Sequence, residues 1–100
     1  TVVIDADALA AMAVTRAIVE GLADDVEPHY GVSTGFGALA TTHIPVAKRA
    51  ELQRSLVRSH AASSGPEVER EVMRGTMLLR LQTLTTARTG ARPIVAETYA

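Results

Sequence analysis

Apolar positions along this chain recur mostly at helical spacing, and the elements they predict are helices. Ala11, Val14, Ile18 and Leu22 fall at i, i+3, i+7 and i+11, one stripe on a helix reaching about Ala23, with Arg16 and Glu20 pointing elsewhere. Asp5 or Asp7 suits its start, because a short carboxylate accepts the orphan amide protons of a first turn. The β-branched residues among 1–4 permit one short strand ahead of it. Asp24, Asp25 and Glu27 with Pro28 end the pattern, and residues 30–37, with three glycines in eight positions, read as a loop.

A second helix is predicted over about 45–62, opened by Pro45, whose missing N–H costs nothing in a first turn. Leu52, Leu56 and His60 stand four apart, so the spacing places His60 on the inward stripe, away from Lys48 and Arg58. Ser64 and Glu67 have the form of a capping box with Pro66 between them, which predicts a third helix over about 65–89. Val68, Val72, Gly75 and Leu79 make its stripe and Met77, Leu78, Leu81 and Leu84 widen it, the pattern of a buried helix. Gly90 and then Pro93 are suited to stop it, and a fourth helix opens at Ile94. The expected fold class is mainly α, with 1–100 forming part of one domain. A sequence that begins on an apolar strand and ends inside a helix reads as cut at both ends, its exposed apolar faces completed by further chain or partner subunits.

Composition narrows the class. The hydrophobic fraction is 47%, but Ala, Leu and Val dominate and only Tyr30, Phe36 and Tyr99 are aromatic, a mix that favours helix over sheet. Without cysteine there is neither a disulfide framework nor a thiolate metal site, and His29, His43 and His60 lack ligand spacing. No apolar run approaches the roughly 20 residues of a membrane span, and no basic leader precedes an apolar segment, so a soluble, cytoplasmic chain is expected. The net charge of −1 hides an asymmetry: residues 1–30 carry six acids against Arg16, and residues 48–92 nine bases against four acids. Those bases are interleaved with Glu51, Glu67, Glu69 and Glu71, which reads as a solvated face or subunit contact and not as a nucleic-acid surface.

Candidate chemistry centres on residues 30–37. The run lacks the Gly-Lys-Ser/Thr of a phosphate loop, the G-x-G-x-x-G spacing and a preceding strand. By pattern alone it is a mobile loop with a tyrosine at its root, either structural or functional. His60 is similarly open: a core histidine satisfied by a backbone carbonyl, or a polar member of a site.

The run Tyr30-Gly31-Val32-Ser33-Thr34-Gly35-Phe36-Gly37 resembles the inner active-site loop of the aromatic amino acid ammonia-lyases. The resemblance continues through Ala38-Leu39-Ala40, Ile44-Pro45, the segment from Leu52 through Gln53-Arg54-Ser55 to His60-Ala61-Ala62, and Gly90-Ala91-Arg92-Pro93, in order and at matching separations. It covers nearly the whole chain and is similar to the N-terminal part of the histidine-specific members. Ser33, Ser63-Ser64 and Thr83-Leu84-Thr85-Thr86 depart from the commoner family residues without removing one that carries chemistry.

The resemblance implies non-oxidative deamination of L-histidine to trans-urocanate and ammonia, in a cytoplasmic homotetramer acting in histidine catabolism. It implies a methylidene-imidazolone electrophile, formed in the family from an internal Ala-Ser-Gly that this chain does not contain. Ala62-Ser63-Ser64-Gly65 comes near it without matching. The resemblance makes Tyr30 the base for the β-proton. An ordinary phenol ionises near pH ~10, so helix N-termini or cations must favour the phenolate for that task. His60 matches the position that contacts the substrate ring, which argues against phenylalanine, since a polar group facing a bare ring is left unpaired. Gly37 is expected to line the pocket, where a residue without Cβ lets substrate approach the backbone. His29 and His43 are expected on the surface and Arg92 as a structural anchor. The alternatives are a tyrosine ammonia-lyase or aminomutase, and a non-catalytic helical oligomerisation module. The 100 residues alone are expected to be inactive.

Overall fold

The computed structural model describes residues 2–100 and contains four α-helices: α1 (Ala6–Ala23), α2 (Val46–His60), α3 (Arg70–Thr85) and α4 (Pro93–Tyr99). A 3-10 turn, Gly37–Leu39, lies between α1 and α2. The mainly α reading holds. The one short strand expected over residues 1–4 does not form among the described residues of that stretch, which have no strand beside them to pair with; Thr1 lies outside the described residues. The only β pairing among the described residues is an isolated antiparallel bridge between Thr34 and His43.

The chain divides into two compact units, Thr1–Glu20 with Glu67–Ala100, and Gly21–Pro66. The first unit is built on Met12, Leu81, Leu84 and Ala96, with Ile4, Leu9, Ala87 and Ala91 packed against them. Asp5 settles the cap of α1: its carboxylate accepts the Asp7 amide at 2.8 Å and its carbonyl the Leu9 amide at 3.2 Å. The buried face of α1 is the one bearing Met12. Val14 and Ile18, on the stripe expected to face inward, are exposed. Alanine is apolar on every side of this helix, so the period alone does not select its face.

Helix α3 departs from expectation at both ends. It begins at Arg70 and not near Gly65, and Ser64 and Glu67 make no capping box; Gly65, with φ +97°, turns the chain instead. It ends at Thr85, where Ala87 takes the left-handed conformation at φ 57° and donates its amide to the Leu84 carbonyl, so Gly90 is not the stop. Gly90 stands close to α1, where a Cβ would run into Val19 Cγ2. Only Leu81 and Leu84 of α3 are buried, and Val72, Met73, Met77, Leu78 and Leu79 are exposed, contrary to a helix buried on most sides. No helix of the described residues is long and apolar enough to cross a membrane, and no cluster among them has metal-binding composition.

Candidate functional site

The second unit, Gly21–Pro66, holds the tyrosine loop and α2. The chain turns sharply after His29, whose carbonyl accepts the amides of Val32 and Ser33 at 3.0 Å each. The Ser33 hydroxyl accepts the His29 amide at 2.9 Å, and the Thr34 hydroxyl accepts the Gly31 amide at 3.2 Å while donating to the Gly35 carbonyl at 3.0 Å. Ser33, Thr34 and Gly35 are buried. Gly35 and Ile44 donate their amides to the carbonyls of Thr42 and Ser33, which closes the loop base. Arg49 of α2 reaches the Ile44 carbonyl through Nε at 3.1 Å and the Ala23 carbonyl through its guanidinium at 2.6 Å, pinning both flanks of the loop. A segment with three glycines is thereby more constrained than its composition predicts.

This scaffold leaves Tyr30 projecting. It is 64% exposed, and its ring meets Phe36 edge to face with centroids 5.8 Å apart. Beside it opens a cleft of about 560 Å³ lined by Tyr30, Phe36, Gly37, Leu56, Val57 and His60. The three residues singled out in the sequence, Tyr30, Gly37 and His60, thus share one cleft. Gly37 has φ +55°, and a Cβ there would meet nothing within 4 Å, so the space beside it is open to a ligand. His60 lies on the face of Leu52 and Leu56 as its spacing requires, but those leucines are half-buried and His60 is exposed at the end of α2, not inward-facing. Its Nδ1 stands 2.9 Å from the Leu56 carbonyl oxygen and 3.0 Å from Ser59 Oγ. The carbonyl-satisfied reading of His60 is therefore correct for one nitrogen, and the other has no partner among the described residues.

The aromatic and aliphatic walls, Phe36, Leu56 and Val57, went unassigned in the sequence, although Leu56 precedes His60 by one helical turn and so shares its face. His29 and His43 are outside the cleft lining, as is every Lys and Arg. Arg92 lies elsewhere, in the first unit, 3.9 Å from Glu20, whose carboxyl is held below its ordinary range chiefly by the hydrogen bond from Arg16.

A family model described as aromatic amino acid lyase matches residues 1–100. The chain belongs to the aromatic amino acid lyase family. Within it, the chain is 60% identical over 94 residues to a histidine ammonia-lyase of Streptomyces avermitilis, a match covering 94% of this chain and 18% of that protein. It is 38% identical over 100 residues to an MIO-dependent tyrosine 2,3-aminomutase of Streptomyces globisporus, covering 19% of it. A crystal structure of a tyrosine aminomutase from Streptomyces globisporus superposes with a TM-score of 0.90 at 37% identity, over 99% of this chain and 19% of that one. This aromatic amino acid lyase chain thus spans about a fifth of the length of the relatives it matches.

Two predictions concern the loop. A Cβ on Gly35 would stand 2.5 Å from Leu39 Cβ and 3.1 Å from Leu39 O, atoms that are fixed by the backbone. Gly35→Ala is expected to destabilise the chain by about 1–3 kcal/mol through overpacking. Gly37→Ala, with open space, is expected to cost about 1–2 kcal/mol for the left-handed backbone alone. Urea unfolding measures both, and a wild-type midpoint for Gly35→Ala would contradict the packing described.

The second follows from Asp25, which lies 2.8 Å from His29 Nε2 at the loop root. The His29 hydrogen bond, helped by the Glu27 amide, holds the Asp25 carboxyl below its ordinary value of 3.8. A depressed carboxyl contributes order that is fully present above that ordinary value and is lost as pH falls through the lower, folded one. Amide shifts of Val32 and Ser33, followed by nuclear magnetic resonance, are expected to move on acidification below pH 3.8. Asp25→Asn should abolish that acid step; an identical step in the variant would contradict the linkage.

Proposed function

We propose that this chain is the part of a histidine ammonia-lyase that supplies the base and the ring contact for converting L-histidine to trans-urocanate and ammonia. The observation that carries the reading is the cleft shared by Tyr30, His60 and Gly37. Abstraction of a weakly acidic β-proton needs a base close to that carbon, and Tyr30 is the projecting proton acceptor there. His60 supplies a polar partner for an imidazole ring, while Phe36, Leu56 and Val57 supply the apolar walls that a planar ring packs against. Gly37 leaves room for the amino acid's backbone end.

The electrophile of this family is a methylidene-imidazolone, which when present makes the substrate amine a leaving group. No Ala-Ser-Gly occurs in these 100 residues, and Ala62-Ser63-Ser64-Gly65 lies beyond the end of α2 and outside the cleft lining. The chain itself therefore does not generate the group, and the tasks it performs are proton removal and ring binding. Residues 1–100 are read as a partial N-terminal domain of the larger lyase, with the remaining catalytic groups and the cationic or dipolar influence on Tyr30 supplied by the rest of a cytoplasmic homotetramer. Alone, the 100 residues are expected to be inactive.

The 38% identity to a tyrosine 2,3-aminomutase supports a second reading, chemistry on tyrosine with the same electrophile. The 60% identity to a histidine ammonia-lyase favours the first. Incubating the full-length enzyme with L-histidine, L-tyrosine and L-phenylalanine decides between them. Urocanate from histidine as the dominant product supports the proposal, and β-tyrosine or coumarate as the dominant product would overturn it.

A further inference from the structure

We infer that Ser59 is a positioning residue that locks the tautomer of His60, holding the proton on Nδ1 and presenting Nε2 as a hydrogen-bond acceptor toward the cleft's ligand. Three atoms at the end of α2 form a closed triangle: Ser59 Oγ lies 2.9 Å from the Leu56 carbonyl oxygen, His60 Nδ1 lies 2.9 Å from that same oxygen, and Ser59 Oγ and His60 Nδ1 are 3.0 Å apart. A carbonyl oxygen only accepts, so both neighbours must donate to it. The Ser59 hydroxyl spends its single proton on the carbonyl, and its lone pair then faces Nδ1. If Nδ1 were bare, the Ser59 hydroxyl would have to leave the carbonyl to donate to it, and the Nδ1 lone pair would still confront the Leu56 carbonyl oxygen at 2.9 Å. With Nδ1 protonated, the same geometry is a donor shared between two acceptors. The hydroxyl orientation and the imidazole tautomer therefore fix one another.

The direction of this lock matters for recognition. A neutral histidine side chain free in water favours the proton on Nε2, which would make the exposed nitrogen a donor. The triangle reverses that preference and leaves Nε2 an acceptor, unpartnered among the described residues, on a side chain that lines the cleft. An acceptor there selects a ring that carries an N–H or O–H, and gives nothing to a bare phenyl group. The selection of a ring rests on the function proposed above; the tautomer lock does not.

The test is nitrogen-15 resonance of the imidazoles in the 100-residue chain labelled at histidine, with His60 assigned by loss of its signals in His60→Gln. At pH about 8.5, where an ordinary imidazole is neutral, the two ring nitrogens report protonated and bare states separately. The expected result is a protonated Nδ1 and a bare Nε2 for His60. In Ser59→Ala the ratio should move toward protonated Nε2 by about fivefold, the net worth of one hydrogen bond. Ser59→Thr, which keeps a hydroxyl able to bond back to the preceding turn, should restore it. Alanine is the better helix former, so α2 should survive the change, and circular dichroism checks that it does. A protonated Nε2 in the wild-type chain, or a ratio unchanged in Ser59→Ala, would overturn the inference and leave His60's proposed ring contact to be judged by substrate kinetics alone. Kinetics that remove His60 from substrate binding would leave the tautomer result standing.

Discussion

Tyr30→Phe in the full-length enzyme is expected to lower kcat for L-histidine by about 10²–10⁴, the range commonly lost with a positioned general base. The substitution keeps the ring and its edge-to-face contact with Phe36, so the loop should hold its place. It removes only the oxygen. Tyr30 projects from a base closed by the bonds of Ser33, Thr34, Gly35 and Ile44, none of which uses the phenol. KM should change little, because the walls and His60 are untouched. A kcat within a few-fold of wild type would remove Tyr30 from the proton transfer.

His60→Leu should fail differently. On the proposed roles the base stays and the polar partner of the substrate's imidazole goes, leaving a substrate N–H without an acceptor at a cost of about 1–3 kcal/mol. That corresponds to a loss of roughly 5–150-fold in kcat/KM for histidine. Phenylalanine, which offers no such donor, should lose nothing and gain an apolar contact beside Leu56 and Val57, so discrimination shifts toward it. The pair of variants gives a crossover: one loses rate on the good substrate, the other loses preference among substrates. Unchanged preference in His60→Leu would return His60 to a helix-end role, bonded to the Leu56 carbonyl and nothing else.

Much of the fold was legible because its signals are local and periodic. The start of α1 at an aspartate, the loop after Pro28 and the helix behind Pro45 follow from capping chemistry and proline's fixed φ, and the fourth helix opens at Pro93, one residue before the expected Ile94. The failures have physical causes. An alanine-rich helix is apolar all round, so the stripe of Val14 and Ile18 was indistinguishable from the face of Met12, which the packing of Leu81, Leu84 and Ala96 selects. A capping box is worth only about 1 kcal/mol and does not outweigh the turn at Gly65. The breadth of apolar surface on α3 predicts a buried helix, yet only Leu81 and Leu84 find cover among the described residues.

In the site, the motif carried Tyr30, Gly37 and His60, whereas their convergence is a property of the fold. Residues 30 and 60 share a cleft because the bridge of Thr34 to His43 and the reach of Arg49 set the tyrosine loop beside α2. No spacing rule predicts that. Ser59 was invisible for a related reason: adjacent residues point about 100° apart on a helix, so only the hydroxyl's bend back to the Leu56 carbonyl brings it to the imidazole.

Whether Tyr30 takes the β-proton of histidine is read by a primary isotope effect. Full-length wild-type enzyme and Tyr30→Phe are compared on L-histidine and its β-deuterated form, with urocanate followed by ultraviolet absorbance. The isotope effect on kcat is expected to be larger in Tyr30→Phe than in wild type, because removing the base makes proton transfer the slowest step. Equal isotope effects together with equal kcat values would contradict it.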